Sequence, residues 1–216
     1  MLDITIDKTK YEMPESWDEL SLRKYLEVSQ ILNNRTEDET DNQIWIKLIQ
    51  KALNCDNNIL LNLSQEDFNI LCGHFIWITK DPEKKMPDAI ELDINGKKVK
   101  YAFKQDSKLN TGERLTTEVI LQQYKTLEEQ FPYILAVILR PATEILDVET
   151  GKLEYQISPI SEDFGKIEDR AAMFMDKIMM GEVYGRLVFF SHTEKSYSTK
   201  PMDHYSTLKI EKRVKC

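Results

Sequence analysis

Apolar residues recur along this chain at two different spacings, and each spacing predicts a different kind of element. At the start, Leu2, Ile4 and Ile6 alternate with polar residues. Alternation of this kind predicts a short β-strand with one apolar face, which Met13-Pro14 ends. Such a strand could pair with its own sheet or with a neighbouring molecule, and we therefore expect residues 1–13 to form an N-terminal arm.

Helical spacing follows, and it predicts three helices in the first third of the chain. Ser21 is a suitable N-cap for a helix from about Leu22 to Leu32. Ser64 begins another helix, because a capping Ser with an acid three residues later satisfies free N–H groups at a helix start. The apolar stripes are Ile44, Trp45, Leu48, Ile49 and Leu53 in the middle helix and Phe68, Leu71, Cys72, Phe75 and Ile76 in the last.

A β-hairpin between Ala89 and Phe103 is the clearest local signal in the chain. Asn95-Gly96 accepts the positive φ angles of a type I′ turn. A two-residue turn places Leu92 opposite Val99 and Ile90 opposite Tyr101. All large apolar side chains then share one face of the hairpin, which is independent support for this register.

The next stretch is predicted to be helical. Thr116 is expected to cap a helix that Phe131-Pro132 ends. The apolar segment from Tyr133 to Arg140 lies between two prolines. Its β-branched content suits a strand, but a buried helix that has proline in its first turn fits as well, and we predict a helix.

The pattern weakens towards the end of the chain. A second hairpin is predicted from Glu144 to Ile157, around Thr150-Gly151. Ser161 is expected to cap a helix, and Gly181 separates that helix from a last one at Val183 to His192.

These elements predict a mainly α fold with one or two β-hairpins, in the α+β class. A chain of 216 residues with 41% hydrophobic residues is large enough to bury a core. We expect a compact helical domain at 14–190, with hairpins near 89–103 and 145–157. The N-terminal arm and a basic C-terminal arm at 191–216 would extend from this body.

Charge is distributed unevenly along the chain, whose net charge is -8. From Lys195 to Cys216 there are six basic and two acidic residues, a balance of +4, which leaves -12 on the remainder. An acidic body with a basic tail can bind a copy of itself. The segment from Lys209 to Lys215 suits a binding arm and a solubilising end equally well.

The cysteines and the apolar runs indicate the cellular compartment of the protein. Cys55, Cys72 and Cys216 are an odd number without a metal-like repeat, which suits a reducing compartment. No basic leader precedes an apolar run at the N-terminus, so we expect no signal peptide. The longest apolar run, from Tyr133 to Leu139, is too short to span a bilayer.

Candidate chemistry is scarce, and we predict no catalytic, cofactor-binding or metal-binding residues. Cys72-Gly-His74 is the one pairing of soft ligands, and zinc needs a second such pair. Seven glycines leave little for a phosphate-binding loop. An enzyme with a divergent site would need titrating side chains gathered in a pocket. The acidic balance argues against nucleic-acid binding, despite lysines on the first hairpin.

Three motifs resemble those of proteins encoded in the tail modules of tailed phages. The first is Pro14-x-x-Trp17-Asp-Glu-Leu-Ser-Leu-x-x-Tyr25-Leu26. The second is Phe131-Pro-Tyr-Ile-Leu-Ala-Val-Ile-Leu-Arg-Pro141. The third joins Glu168-Asp-Arg-Ala-Ala-Met-Phe174 to Val183-Tyr-Gly-x-Leu-x-Phe-Phe190. The chain resembles neck and tail proteins of phages of gut Bacteroidetes, including crAss-like phages. Tail-assembly chaperones and baseplate-hub assembly proteins of contractile phages are similar to it as well.

This resemblance implies a non-enzymatic protein of the phage virion, assembled in the host bacterial cytoplasm. We expect an oligomeric ring in the head-to-tail connector or tail, in contact with portal or tail components and without a membrane. The alternative is a tail assembly chaperone that is absent from the mature particle. The expected subunit contacts are Leu2, Ile4, Ile6, Trp17, Lys209, Lys212, Arg213 and Lys215.

Overall fold

The computed structural model describes residues 1–6, 8–105, 108–146, 148, 151, 153–157 and 166–198. For residues 191–198 it describes the backbone alone. The predicted fold class is confirmed, since the described chain is mainly helical with two small antiparallel sheets. The strands are β1 Leu2–Ile6, β2 Thr9–Met13, β3 Ala89–Ile94, β4 Lys97–Phe103, β5 Leu139–Leu146 and β6 Leu153–Ile157. The helices are α1 Leu22–Asn33, α2 Asp41–Leu53, α3 Asn57–Leu61, α4 Gln65–His74, α5 Thr111–Gln123, α6 Leu127–Ile138, α7 Ile167–Lys177 and α8 Met180–Ser198. Short 3₁₀ turns lie at Trp17–Glu19 and Ile76–Thr79.

The N-terminal strand is one half of a hairpin within this chain. β1 pairs antiparallel with β2, with Leu2 opposite Met13 and Ile6 opposite Thr9. Ile6 and Met13 are buried, so the hairpin contributes to the core. β2 was not predicted, because its largely polar sequence gives a weaker strand signal than that of β1.

Capping residues fix the starts of the early helices. The Ser21 hydroxyl accepts a hydrogen bond from Lys24 N, and the Ser64 hydroxyl accepts one from Asp67 N at 3.1 Å, as predicted. The short helix α3 was not predicted. The apolar stripe assigned to α4 is wrong at Ile76, which is 56% exposed. The helix ends at His74, so Ile76 falls in a 3₁₀ turn and leaves the buried face.

Four strands form the second sheet, in the order β3-β4-β5-β6. The predicted register of the first hairpin is confirmed, with Leu92 opposite Val99 and Ile90 opposite Tyr101. Asn95 and Gly96 have φ angles of 55° and 77°. The second hairpin also forms, from β5 and β6, with Leu146 opposite Leu153. Its first strand begins at Leu139, before the predicted start at Glu144.

The predicted start of α5 and the predicted break at Pro132 are both wrong. The cap of α5 is Asn110, which forms a capping box with Glu113, so Thr116 lies inside the helix. α6 runs through Pro132 from Leu127 to Ile138. Phe131 and Ile134 are almost completely buried beside the proline, and this packing outweighs the one helical hydrogen bond that proline removes. The helix predicted at Tyr133 to Arg140 is therefore present as far as Ile138, and β5 begins directly after it.

The last two helices pack against this centre. Ser161, the predicted cap, lies outside the described residues, and α7 begins at Ile167 with Lys166 in the N-cap position. α8 begins at Met180 and continues to Ser198, so Gly181 lies inside its first turn and the helix is longer than predicted. One continuous core of buried side chains extends from Ile6 to Phe190.

Candidate functional site

Trp17, the most distinctive residue of the first motif, is held inside the chain. Its side chain is 7% exposed, and the indole Nε1 donates a hydrogen bond of 2.8 Å to Lys80 O. The ring meets Tyr25 and Trp77 edge-on, with centroids 5.2 Å apart in both pairs. The contacts of Trp17 are thus made within one molecule, which leaves little of the ring for a second subunit.

The other predicted contact residues are divided between core and surface. Ile6 is buried beneath the N-terminal hairpin, and Ile4 is half-buried against the core. Leu2 is 42% exposed. The four basic residues of the predicted contact set, Lys209, Lys212, Arg213 and Lys215, lie outside the described residues.

The connection formed by residues 80–88 joins the second 3₁₀ turn to β3, and α8 holds it at close range. A Cβ atom at Gly185 would lie only 2.6 Å from the carbonyl carbon of Lys84. Arg186 donates hydrogen bonds to Pro87 O at 2.7 Å and to Asp88 Oδ1 at 2.6 Å. The close approach therefore requires glycine, and the neighbouring arginine fixes the same connection by hydrogen bonds.

The start of α8 also approaches the 3₁₀ turn that contains Trp17. A Cβ atom at Gly181 would lie 2.9 Å from Asp18 N. The Asp18 carboxylate pairs with Lys85 Nζ at 2.5 Å. The first and third motifs of the sequence thus meet at the connection 80–88. The roles of Gly185 and Arg186 were not predicted, because both residues contact a segment about 100 positions earlier in the chain.

Two cavities flank Trp17 and form what we call the Trp17 groove. The smaller, of about 110 Å³, lies between α1 and the second 3₁₀ turn and reaches Glu128. The larger, of about 350 Å³, lies between Trp77 and Gly181 and reaches Glu83. Trp17, Lys80 and Asp81 line both cavities.

A buried cluster of charges lies elsewhere, between α5 and the sheet. Glu113 is 4% exposed, and its carboxylate accepts from Lys104 Nζ at 2.7 Å and from Arg140 Nη2 at 3.1 Å. Its Oε2 also accepts from Asn110 N at 2.8 Å. Hydrogen bonds from two cations and a backbone amide fix this carboxylate in place, so the arrangement suits structural support.

Arg140 is the largest fully buried side chain in the described part of the protein. Burial lowers the pKa of its guanidinium to about 10, although the charge of Glu113 opposes the shift. A cavity of about 320 Å³ borders this cluster, lined among others by Val137, Ile167 and Arg170. The spacing Asn110-x-x-Glu113 is a capping-box signal that could have identified Glu113 from sequence.

The β5–β6 hairpin extends from the body as an exposed element. Only Leu139 and Arg140 of β5 are buried, and from Thr143 onwards every described residue of the strand is exposed. An ion pair between Lys100 Nζ and Glu144 Oε1, at 2.5 Å, joins the hairpin to β4. β6 is the edge strand of the described sheet, so one row of its backbone groups has no partner in that sheet.

The outer part of this hairpin carries large apolar side chains. Leu146 and Leu153 are paired across the strands and are 59% and 62% exposed. Ile145 is 45% exposed on the opposite face, and Val148 at the turn is 93% exposed. Apolar side chains concentrated on an edge-strand hairpin are typical of a surface that contacts another protein.

The cysteines and histidines do not form a metal centre in the described regions. No group of three or more His, Cys, Asp or Glu side chains capable of holding an ion occurs there. Cys55 is buried and Cys72 half-buried, and burial raises the pKa of both thiols. A thiol with a raised pKa is a poor nucleophile at neutral pH.

Among the described helices, none is both long enough and apolar enough to cross a membrane.

Comparison with protein-family models, with curated proteins and with solved structures found no match to this chain. The candidate functional surfaces of this protein are therefore defined by its own geometry, and they are the β5–β6 hairpin and the Trp17 groove.

Proposed function

We propose that this protein is a non-enzymatic structural protein of a phage virion, and that it forms an oligomeric ring in the head-to-tail connector or tail. The virion assignment derives from the three sequence motifs. The assembly role is supported by the exposed apolar surface of the β5–β6 hairpin. Portal or tail proteins would be its other partners, and it would assemble in the cytoplasm of the host bacterium.

The β5–β6 hairpin carries this proposal. Leu146 and Leu153 form a cross-strand pair that covers no described part of the body. Burying the pair against a second molecule removes apolar area from water, and the edge of β6 offers main-chain hydrogen bonds to an added strand. A ring requires one such surface and a complementary surface on each subunit.

The test is the molar mass of the purified protein with and without this pair. The variant Leu146→Ser/Leu153→Ser should lower the fraction of assembled protein at least tenfold, because two apolar contacts per interface are lost. Sedimentation velocity over a concentration series measures this fraction, and circular dichroism verifies that the subunit stays folded.

The matched control is Leu61→Ser on α3, since Leu61 is 63% exposed and Leu153 62%. This control should assemble like the wild type. A wild-type protein that stays monomeric at high concentration, or a hairpin variant that assembles as well as the control, would contradict the proposal.

A further inference from the structure

The Trp17 groove combines aromatic walls with carboxylates that have no ion-pair partner among the described residues. Asp81 lines both cavities, Glu128 lines the smaller and Glu83 the larger. The ion pairs of the described chain include none of these three carboxylates. Asp18 is already paired with Lys85, and Lys80 is the other cation of the lining. The lining therefore carries four acids and two bases, and its net charge is negative.

The tyrosines beside the groove respond to this negative field. Burial, and then the charge of Asp81, raise the pKa of Tyr184 to about 12, and Glu128 contributes in the same direction. Burial raises the pKa of Tyr25 as well, again with contributions from Glu128 and Asp81. Two separate hydroxyl groups thus experience the same pair of carboxylates, which is consistent with the negative charge of the lining.

The chemistry of the lining suits the side chains of lysine and arginine. Their charged ends favour carboxylates, and their aliphatic stems favour aromatic surface, which the half-buried ring of Trp77 provides in the larger cavity. The two cavities share Trp17, Lys80 and Asp81 in their linings, so together they form one short groove. A short basic peptide therefore satisfies both the charge and the shape.

This chain contains such a peptide outside the described residues. Segment 199–216 has five basic and two acidic residues, a balance of +3, and four of the bases lie between Lys209 and Lys215. α8 begins at the groove, where Gly181 lines the larger cavity, and ends at Ser198. At 1.5 Å per residue the helix places that end about 27 Å from the groove.

We propose that the Trp17 groove binds the basic segment 199–216 of a neighbouring copy of this chain. This inference rests on the proposed function, since it supplies the second contact that links one subunit to the next. α8 carries the start of the segment away from its own groove, and the eleven residues from Ser198 to Lys209 can span at most about 36 Å. That length reaches a groove on an adjacent subunit as well as the chain's own groove, and mixing of variants distinguishes the two.

Charge reversal on each side of the contact tests this proposal. The groove variant is Glu83→Lys/Glu128→Lys, which leaves Asp81 in place beside Tyr184. The segment variant is Lys212→Glu/Arg213→Glu. Each variant alone should weaken self-association roughly tenfold in sedimentation velocity at low salt, because like charges then face each other.

Mixing the two variants distinguishes a neighbouring groove from the chain's own. In the mixture, the basic segment of the groove variant meets the acidic groove of the segment variant, and the reversed charges also match. Association between the two variants should therefore return to the wild-type level. The control variant Glu37→Lys/Asp38→Lys changes the same charge in an exposed loop and should associate like the wild type.

The results of these experiments test the groove contact independently of the oligomeric ring. If neither reversal weakens association, or if mixing fails to restore it, the groove does not bind a neighbour's segment, and the ring formed through the hairpin still stands. A single chain that carries all four substitutions provides a further comparison. If association is restored in that chain but not on mixing, the segment binds its own groove, which overturns the proposal. A wild type that never self-associates contradicts the groove contact and the ring together.

Discussion

Trp17 and Trp77 form an edge-to-face pair with ring planes at 90°, yet only one of their indole nitrogens has a hydrogen-bond acceptor among the described residues. Nε1 of Trp17 donates to Lys80 O, whereas the buried Nε1 of Trp77 has no acceptor among the described residues. Trp17 therefore fixes the start of the connection 80–88 as well as filling space. This single hydrogen bond explains why a tryptophan, and not another aromatic residue, is suited to this position.

Replacement of each tryptophan by phenylalanine separates the hydrogen bond from the packing. Trp17→Phe loses both ring volume and a partly buried hydrogen bond, and it should destabilise the fold by about 1–2 kcal/mol more than Trp77→Phe. Urea unfolding monitored by circular dichroism measures the difference. Equal losses in the two variants would show that the bond to Lys80 O contributes nothing to stability.

At the scale of elements, the start of α8 determines how the two halves of the chain meet. Gly181 and Gly185 are one helical turn apart on the same face and allow the helix to touch the backbone at Asp18 and Lys84. Arg186 continues the contact through its hydrogen bonds to the connection 80–88. The packing of this turn is therefore backbone against backbone, and backbone cannot yield to an added side-chain atom as a flexible side chain can.

Alanine substitution at two glycines tests that packing. Gly185→Ala should destabilise the protein by about 1–3 kcal/mol, because the new Cβ atom overlaps the carbonyl groups of residues 84 and 85. Gly73→Ala in α4 is the control, since nothing lies within 4 Å of its Cβ position, and there alanine should stabilise the helix by up to about 1 kcal/mol. Thermal unfolding measures the stability of both variants. A Gly185→Ala protein as stable as the Gly73→Ala protein would contradict the close contact.

Local signals explain which elements could be predicted from the sequence. The turn at Asn95-Gly96 and the caps at Ser21 and Ser64 were predicted, because turn and cap chemistry depends on a few adjacent residues. The prediction wrongly divided α6 at Pro132, because the buried neighbours that stabilise the helix come from other parts of the chain. The close contact at Gly185 joins residues 100 positions apart, and no periodicity in the sequence indicates it.

At the scale of the whole molecule, the described surfaces suit a subunit of an assembly. An exposed apolar hairpin, an edge strand and a negatively charged groove lie on one body, and the chain also carries a basic segment. The hairpin was predicted in outline, but its exposure was not, since alternating apolar residues usually predict a buried face. The groove requires α1, α6 and the connection 80–88 together, so the sequence pattern did not reveal it.

The central claim is that this protein is a structural component of a virion, and quantitative mass spectrometry of purified particles tests it most directly. Particles of a phage whose genome carries this sequence would be separated from host lysate on a density gradient, and the peptides of this protein would be quantified against those of the portal. A ring component should be present at a fixed copy number per particle that does not change with further purification. Its absence from intact particles, with the protein present only in the lysate during assembly, would contradict the claim and favour a tail assembly chaperone.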